Sequence, residues 1–209
     1  MPPSAGAKTR ERILECALGL FNEHGEPNVT PVEVASQLGI SPGNLYYHYH
    51  GKEPLILGLF EVFQQELRPL LRPPAAAQLG AEDYWLFLHL VAERMARYRF
   101  LFMDLSNMAR RMPRLGRGMR EIIQALRRTL VALLASLEEN PRLAGGNGTL
   151  TALSDQTAMT LVCSLDYQRI LGQEPEVGVM VYQAMMIIAP HLHSDAREDV
   201  EALARRYLP

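Results

Sequence analysis

The sequence predicts an all-α protein: an N-terminal helix-turn-helix unit followed by a larger helical unit. Three observations carry this. Apolar residues recur every three or four positions along most of the chain, and no stretch alternates as a half-buried strand would. Thr30-Pro31 and Ser41-Pro42 have the residue types that open helices, while Gly25, Gly39 and Gly51 have the type that closes them. Finally, a short amphipathic helix ending at Gly39 is followed at once by a second short helix from Ser41, the spacing of a helix-turn-helix.

Residues 8–24 place Ile13, Ala17, Leu20 and Phe21 on one face, and Glu26-Pro27-Asn28-Val29 is a loop. Thr30 followed by Glu33 is a capping-box pattern, with Val34, Ala35 and Leu38 as the buried stripe of the next helix. Residues 53–71 form a fourth helix through Leu55, Leu59, Phe63 and Leu67, broken by Pro69, Pro73 and Pro74; 72–80 is a linker. Tyr84, Leu88, Val91, Met95, Tyr98 and Phe102 mark one strong helix, with a break at Met112-Pro113. Met119 to Leu137 is the next, closed by Asn140-Pro141. A glycine-rich loop spans 144–148, and helices follow at 150–171, 177–192 and 198–207. The units divide as 1–52 and 53–209, with helix 53–71 as connector.

At 209 residues and 48% hydrophobic, the chain is an ordinary globular one, and a net charge of −2 excludes a globally basic DNA coat. Cys16 and Cys163 lie in apolar helical patterns and are expected to be buried, reduced thiols. The first residues lack an apolar signal core and no run is long enough to span a bilayer, so a cytoplasmic protein without membrane contact is expected.

The helix from Ser41 is too short for a core helix and carries Asn44, Tyr46, Tyr47 and His48. Such planar hydrogen-bonding groups suit a helix lying in the major groove of duplex DNA. Asn44 can pair in bidentate fashion with adenine. Tyr46, Tyr47 and His48 can meet phosphates or a thymine methyl. Pro42 opens the helix, and Gly43 lets the backbone approach DNA closely. Thr30 and Ser41 offer hydroxyls at helix N-termini, and Lys52 a charge for a phosphate. Leu45 is the expected buried anchor. The bland alternative is that Tyr46 to Tyr49 forms only an aromatic packing cluster. Four consecutive rings on a short helix point all round it, however, so at least two face outward.

The run Lys8-Thr9-Arg10-Glu11-Arg12-Ile13-Leu14 with Ala17, Phe21 and Gly25, then Thr30, Val34-Ala35, Gly39-Ile40-Ser41, Leu45 to Tyr49 and Lys52, resembles the N-terminal domain of TetR-type transcriptional regulators. It covers about a quarter of the chain. The resemblance implies a homodimeric all-α regulator that binds a palindromic operator and whose C-terminal domain binds a small molecule. It places DNA contacts on Thr30, Ser41, Asn44, Tyr46, Tyr47, His48 and Lys52. One departure is Glu26, where an aromatic or aliphatic residue is common. Repression relieved by an effector is the expected direction. The alternative is an activator, or a helix-turn-helix interaction protein without a ligand.

Residues 84–137 are rich in aromatics and methionines, which can line an adaptable apolar pocket for an apolar or amphipathic effector or simply form core. Trp85, Tyr98 and Met103 are the expected ligand residues. Between 94 and 128, Arg94, Arg97, Arg99, Arg110, Arg111, Arg114, Arg117, Arg120, Arg127 and Arg128 stand against only Asp104 and Glu121. They read as an anionic-ligand site or, more simply, as a solvated face paired with acids such as Glu138, Glu139, Asp195, Glu198 and Asp199. For dimerisation, Ala158, Val162, Leu165 and Arg169 share one helical face, and Val181, Ala184, Met185 and Ile188 another. Two such helices suit four-helix packing with a second copy, or an intramolecular core.

An enzyme is not expected. His48 and His50, and His191 and His193, are two apart and diverge on a helix, so no metal is expected. No cofactor is expected either, since no nucleophile elbow or phosphate-cradling glycine loop is present.

Overall fold

A computed structural model describes residues 5–73, 79–137 and 147–207, and among these every regular element is helical. Helices α1 (Ala5–His24), α2 (Pro31–Leu38), α3 (Pro42–His48) and α4 (Lys52–Leu67) form the N-terminal unit and connector. Helices α5 (Ala81–Arg97), α6 (Phe100–Met103), α7 (Leu105–Arg111), α8 (Pro113–Leu137), α9 (Asn147–Ile170), α10 (Val177–Ile188) and α11 (Ser194–Ala204) form the remainder. Among the described residues, no helix is long and apolar enough to cross a membrane.

The helix signals act locally as their chemistry requires. Thr30 and Glu33 form a full capping box: the Glu33 amide donates to the Thr30 hydroxyl oxygen, and the Thr30 amide donates to the Glu33 carboxylate at 2.6 Å. Gly39 closes α2 at φ 65°, a left-handed conformation that costs a side chain energy, and so sets the turn between α2 and α3. Pro113 opens α8 as the sequence implies. The single signal expected through Phe102 is divided, because α5 ends at Arg97 and the chain turns before α6. The connector ends at Leu67, and the linker positions 74–78 lie outside the described residues. So does the 144–146 part of the expected glycine-rich loop, whereas Asn147 and Gly148 already belong to α9.

The Glu33 carboxyl is held below its ordinary range, first by the Thr30 amide, then by the Thr30 hydroxyl. A carboxylate depressed in the folded state stabilises it above the unfolded value and loses that contribution as pH falls through the folded value. Glu33→Gln is therefore expected to melt below wild type at pH 7 and to match it once pH falls well below the ordinary carboxylate range. A gap that persists in acid would show that the carboxylate charge is not what stabilises this cap.

One hydrophobic core runs from Ile13 on α1 to Ala204 on α11, and α4 carries it between the units. At Gly58, α4 faces Leu14 and Tyr49, each 3.1 Å from where a β-carbon would stand. Further along, a β-carbon at Gly118 of α8 would fall 2.7 Å from Phe60 and Gln64 of α4, so only glycine permits this approach. Phe63 is fully buried, with ring centroids 5.3 Å from Tyr98 and 5.7 Å from Phe102.

The inner face of α9 carries buried Ser154, Thr157, Ser164 and Gln168. Gln168 serves the turn after the helix: its carbonyl accepts from the Glu176 amide at 2.8 Å and its amide donates to Ser164 at 3.1 Å.

The expected dimer residues need correction. Ala158 and Leu165 on α9, and Val181, Ala184, Met185 and Ile188 on α10, are at most 2% exposed within the isolated chain, so they belong to its own core. An apolar stripe at helical spacing marks the side that faces the protein interior; the side that can meet a second copy stays exposed in one copy. That outer face carries Met159, Cys163, Tyr167 and Ile170 on α9 and Leu171 just after it, beside half-exposed Tyr182, Met186 and Ile187 on α10. Val162 is half-buried. Arg169 is exposed and donates to Asp166 and to the Met103 carbonyl. Cys163 is thus exposed, contrary to expectation. Cys16 is partly buried, and burial pushes its thiol up.

Candidate nucleic-acid interface

The helix α3 is held by one apolar anchor and shows its remaining side chains outward. Leu45 is 1% exposed, as expected, and Tyr49 is also buried, with the Arg10 guanidinium 5.0 Å over its ring. Pro42, Gly43 and Asn44 are exposed. Tyr46 and Tyr47 are 58% and 79% exposed and so lie outside the core; Tyr46 stands edge-on to His50, and half-buried His48 edge-on to Tyr47. Val32 on α2 is also exposed at 59%, an apolar group that could meet a thymine methyl. Sequence reading passes over it because a valine in an amphipathic helix reads as core.

The hydroxyls at the two helix N-termini differ in what they can still give. The Ser41 oxygen accepts from the Asn44 amide at 3.1 Å, which leaves its proton to donate outward. Thr30 has spent both donors: its amide and its hydroxyl go to the Glu33 carboxylate, at 2.6 and 2.8 Å. That carboxylate also places negative charge at the N-terminus of α2, where a phosphate was expected. Thr30 is therefore a cap rather than a ready phosphate donor. Lys52 is half-buried. Its ammonium lies 3.2 Å from a Glu26 carboxylate oxygen and donates to the Pro27 carbonyl at 3.3 Å.

The expected ligand residues do not converge. Tyr98 is 1% exposed and donates to Glu66 of α4 at 3.0 Å; burial, then this bond, pushes its hydroxyl up to about 12. It is a tie between α4 and α5. Trp85 donates to the Tyr207 hydroxyl at 2.8 Å, and Tyr207 reaches the His89 Nδ1 at 2.7 Å. The Tyr207 hydroxyl links Trp85 to the His89 ring, whose Nε2 lies 3.3 Å from a Glu93 carboxylate oxygen. Trp85 thus fastens the C-terminal turn 205–207 to α5. Met103 lines an open cleft, of about 710 Å³, where Asn22, Arg99, Asp104, Arg169 and Glu174 also stand. The three sit at different places because one periodic stripe runs the length of α5 and beyond.

The arginines are likewise dispersed. Arg94 and Arg97 meet Glu66, Arg111 meets Glu26, Arg114 meets Glu61 and Arg127 chelates Asp155. Their partners come from the N-terminal unit, the connector and α9, so these five do not converge on one anion; the expected partners Glu138 and Glu139 lie outside the described residues. Among the described residues, no cluster of His, Cys, Asp and Glu could hold a metal.

A short capped helix, anchored by one leucine and presenting amide and phenol groups to solvent beside a second helix, defines a helix-turn-helix regulator of transcription. Comparison with known proteins gives its family. A family model described as "Bacterial regulatory proteins, tetR family" matches residues 13–59, and one described as "Bacterial transcriptional repressor" matches residues 62–200. The chain belongs to the TetR family of transcriptional regulators.

Over 64 residues it is 38% identical to the HTH-type transcriptional regulator UidR of Escherichia coli, covering 31% of this chain and 32% of that protein. Over 78 residues it is 31% identical to the uncharacterized HTH-type transcriptional regulator TtgW of Pseudomonas putida, covering 37% and 55%. The matches thus span at most about half of these relatives' length. A TetR-family regulator from Marinobacter aquaeolei superposes with a TM-score of 0.85 at 28% identity, covering 96% of this chain and 99% of that one. CprB of Streptomyces coelicolor, solved with its operator, shares the fold at a TM-score of 0.69 and 21% identity, covering 97% and 98%.

Proposed function

We propose that the chain is a homodimeric repressor that reads a palindromic operator through α3 and is released by a small-molecule effector. The observation that carries the DNA-reading half is the exposed row of Ser41, Asn44, Tyr46 and Tyr47 on a helix held by Leu45 alone. Pro42 and Gly43 shape the first turn so that these groups can enter a major groove, with His48 at its edge. Two copies are needed because one recognition helix spans too few base pairs. Two-fold symmetry places the pair about 34 Å apart, one turn of DNA. The exposed face of Met159, Ile170 and Leu171, with Tyr182 and Met186, is the surface we assign to the second copy. The effector acts by shifting that spacing through α4, whose two ends pack on different units. A cytoplasmic protein is consistent with this role.

Selection of duplexes from a random library, followed by titration of the enriched sequence, tests the reading. We expect an inverted repeat bound as one dimer. Met159→Glu is expected to yield monomers in sedimentation and to lose the cooperative complex. Enrichment of no sequence, or a Met159→Glu dimer of wild-type stability, would overturn the corresponding half.

A further inference from the structure

We propose that Glu26 is a positioning residue for operator binding: its carboxylate clasps Lys52 and Arg111 together. On this view Lys52 acts by fixing the recognition unit against the second domain, not by meeting a phosphate. The inference rests on the DNA-binding reading above.

Glu26 opens the 3₁₀ turn Glu26–Asn28 between α1 and α2, yet its side chain is 1% exposed. One carboxylate oxygen accepts from the Arg111 guanidinium at 2.7 Å, and the other lies 3.2 Å from the Lys52 ammonium. The three groups come from three places: the loop under the helix-turn-helix, the first residue of the connector α4, and the last residue of α7 in the second domain. An ionised carboxylate at this depth is strongly disfavoured without a cation, so it holds whatever cations it has. Lys52 also donates to the Pro27 carbonyl in the same turn, so its ammonium is held against the protein rather than free in solvent. A phosphate would have to pull that ammonium away from a buried carboxylate, which the protein resists.

The same geometry makes the clasp a coupling element. Arg111 belongs to the second domain, and withdrawing α7 would leave Glu26 with Lys52 alone. Asn22, nearby on α1, ties the units a second time: its amide donates to the Arg97 carbonyl at 2.8 Å and its oxygen accepts from the Phe100 amide at 3.1 Å. Asn22 and Glu26 both line the open cleft that also holds Met103, Arg99 and Arg169. Motion across that cleft therefore has to break or keep the clasp. An ion triad centred on a buried carboxylate favours a closed arrangement, with its cations seated, over any in which one of them is withdrawn.

Salt dependence separates positioning from contact, because each lost phosphate contact lowers the slope of log K against log salt by about 0.9. The probe is the duplex enriched by wild-type protein. Arg111→Met, away from α3 and half exposed, is expected to weaken binding on the order of tenfold, a typical coupling between domains, with the slope unchanged. Lys52→Gln is expected to weaken binding similarly, also at unchanged slope. The double variant should bind little worse than either single one, since both act through Glu26. Arg111→Lys should recover part of the loss. A shallower slope in Lys52→Gln, wild-type affinity in Arg111→Met, or multiplying effects in the double variant would each overturn the clasp.

Should wild type enrich no duplex, the DNA reading fails by itself. Melting of Glu26→Gln, Arg111→Met and their combination then decides the clasp: non-additive losses support it and additive ones refute it.

Discussion

Replacing Asn44 with alanine is expected to weaken operator binding by roughly two to four orders of magnitude while leaving melting unchanged. A bidentate side-chain pair with a base is worth about 1–3 kcal/mol, and a dimer on a palindrome loses it twice, so about 2–6 kcal/mol in total. The side chain is exposed, and the helix cap uses the Asn44 backbone amide, which alanine retains. Surface substitutions of this kind move stability by about 0.5 kcal/mol or less. Titration of the selected duplex, with single base changes along it, reads both affinity and preference. The variant should relax preference at one A·T pair per half-site. Wild-type affinity with unchanged preference would remove Asn44 from the interface.

Phe63→Ala is expected to cost about 3–5 kcal/mol of stability, the usual range for emptying an aromatic site in a packed core. Phe63 is fully buried on α4 among Phe60, Tyr98 and Phe102. For a chain of this length each kcal/mol moves the melting temperature by about 2–4 °C, so a fall of roughly 6–20 °C follows. Chemical denaturation should show the same loss at the midpoint. A shift of about 2 °C or less would mean the neighbouring rings close over the space, and that this junction does not hold connector and second domain together.

Both predictions rest on residues whose roles were readable to different degrees. The exposure of Asn44 was legible because α3 is short and its chemistry is local: a cap, a proline, one leucine and polar groups on the rest of the turn. Its exposure follows from the helix having a single apolar anchor. Phe63 was legible as core, since it repeats with Leu59 and Leu67, but its neighbours Tyr98 and Phe102 were not. Thr30 and Lys52 show the limit more sharply. The capping box was plain from spacing, yet its consequence, that Glu33 absorbs the Thr30 donors meant for a phosphate, becomes visible only with distances. Lys52 carried a charge in the right register, and nothing in the chain order showed that Glu26, 26 positions earlier, would face it from a buried turn.

The second domain was read less well for one physical reason. Apolar periodicity reports which side of a helix is dry and does not distinguish a protein's own core from a partner or a ligand. The stripes containing Leu165 and Met185 were real and turned inward, and the opposite side, with Met159 and Ile170, is the exposed one. Trp85, Tyr98 and Met103 belong to one aromatic and Met-rich stretch but sit at different places along the bundle. The polar tips of Trp85 and Tyr98 found separate partners in Tyr207 and Glu66, while Arg169 met the Met103 main-chain carbonyl. The arginine run dispersed for the same reason, because ion pairs form between elements far apart in sequence.

What the sequence determined by itself was everything set within one or two helical turns. The all-α class, the caps at Thr30 and Ser41, the turn at Gly39, the anchor at Leu45 and the family all follow from local spacing and side-chain chemistry. What only the tertiary structure decided was everything that needs two distant elements to meet. The inward or outward sense of α9 and α10, the Glu26 clasp and the ties between α4 and α5 depend on relative placement. Placement is fixed by packing the whole core, which no single stretch of the chain encodes.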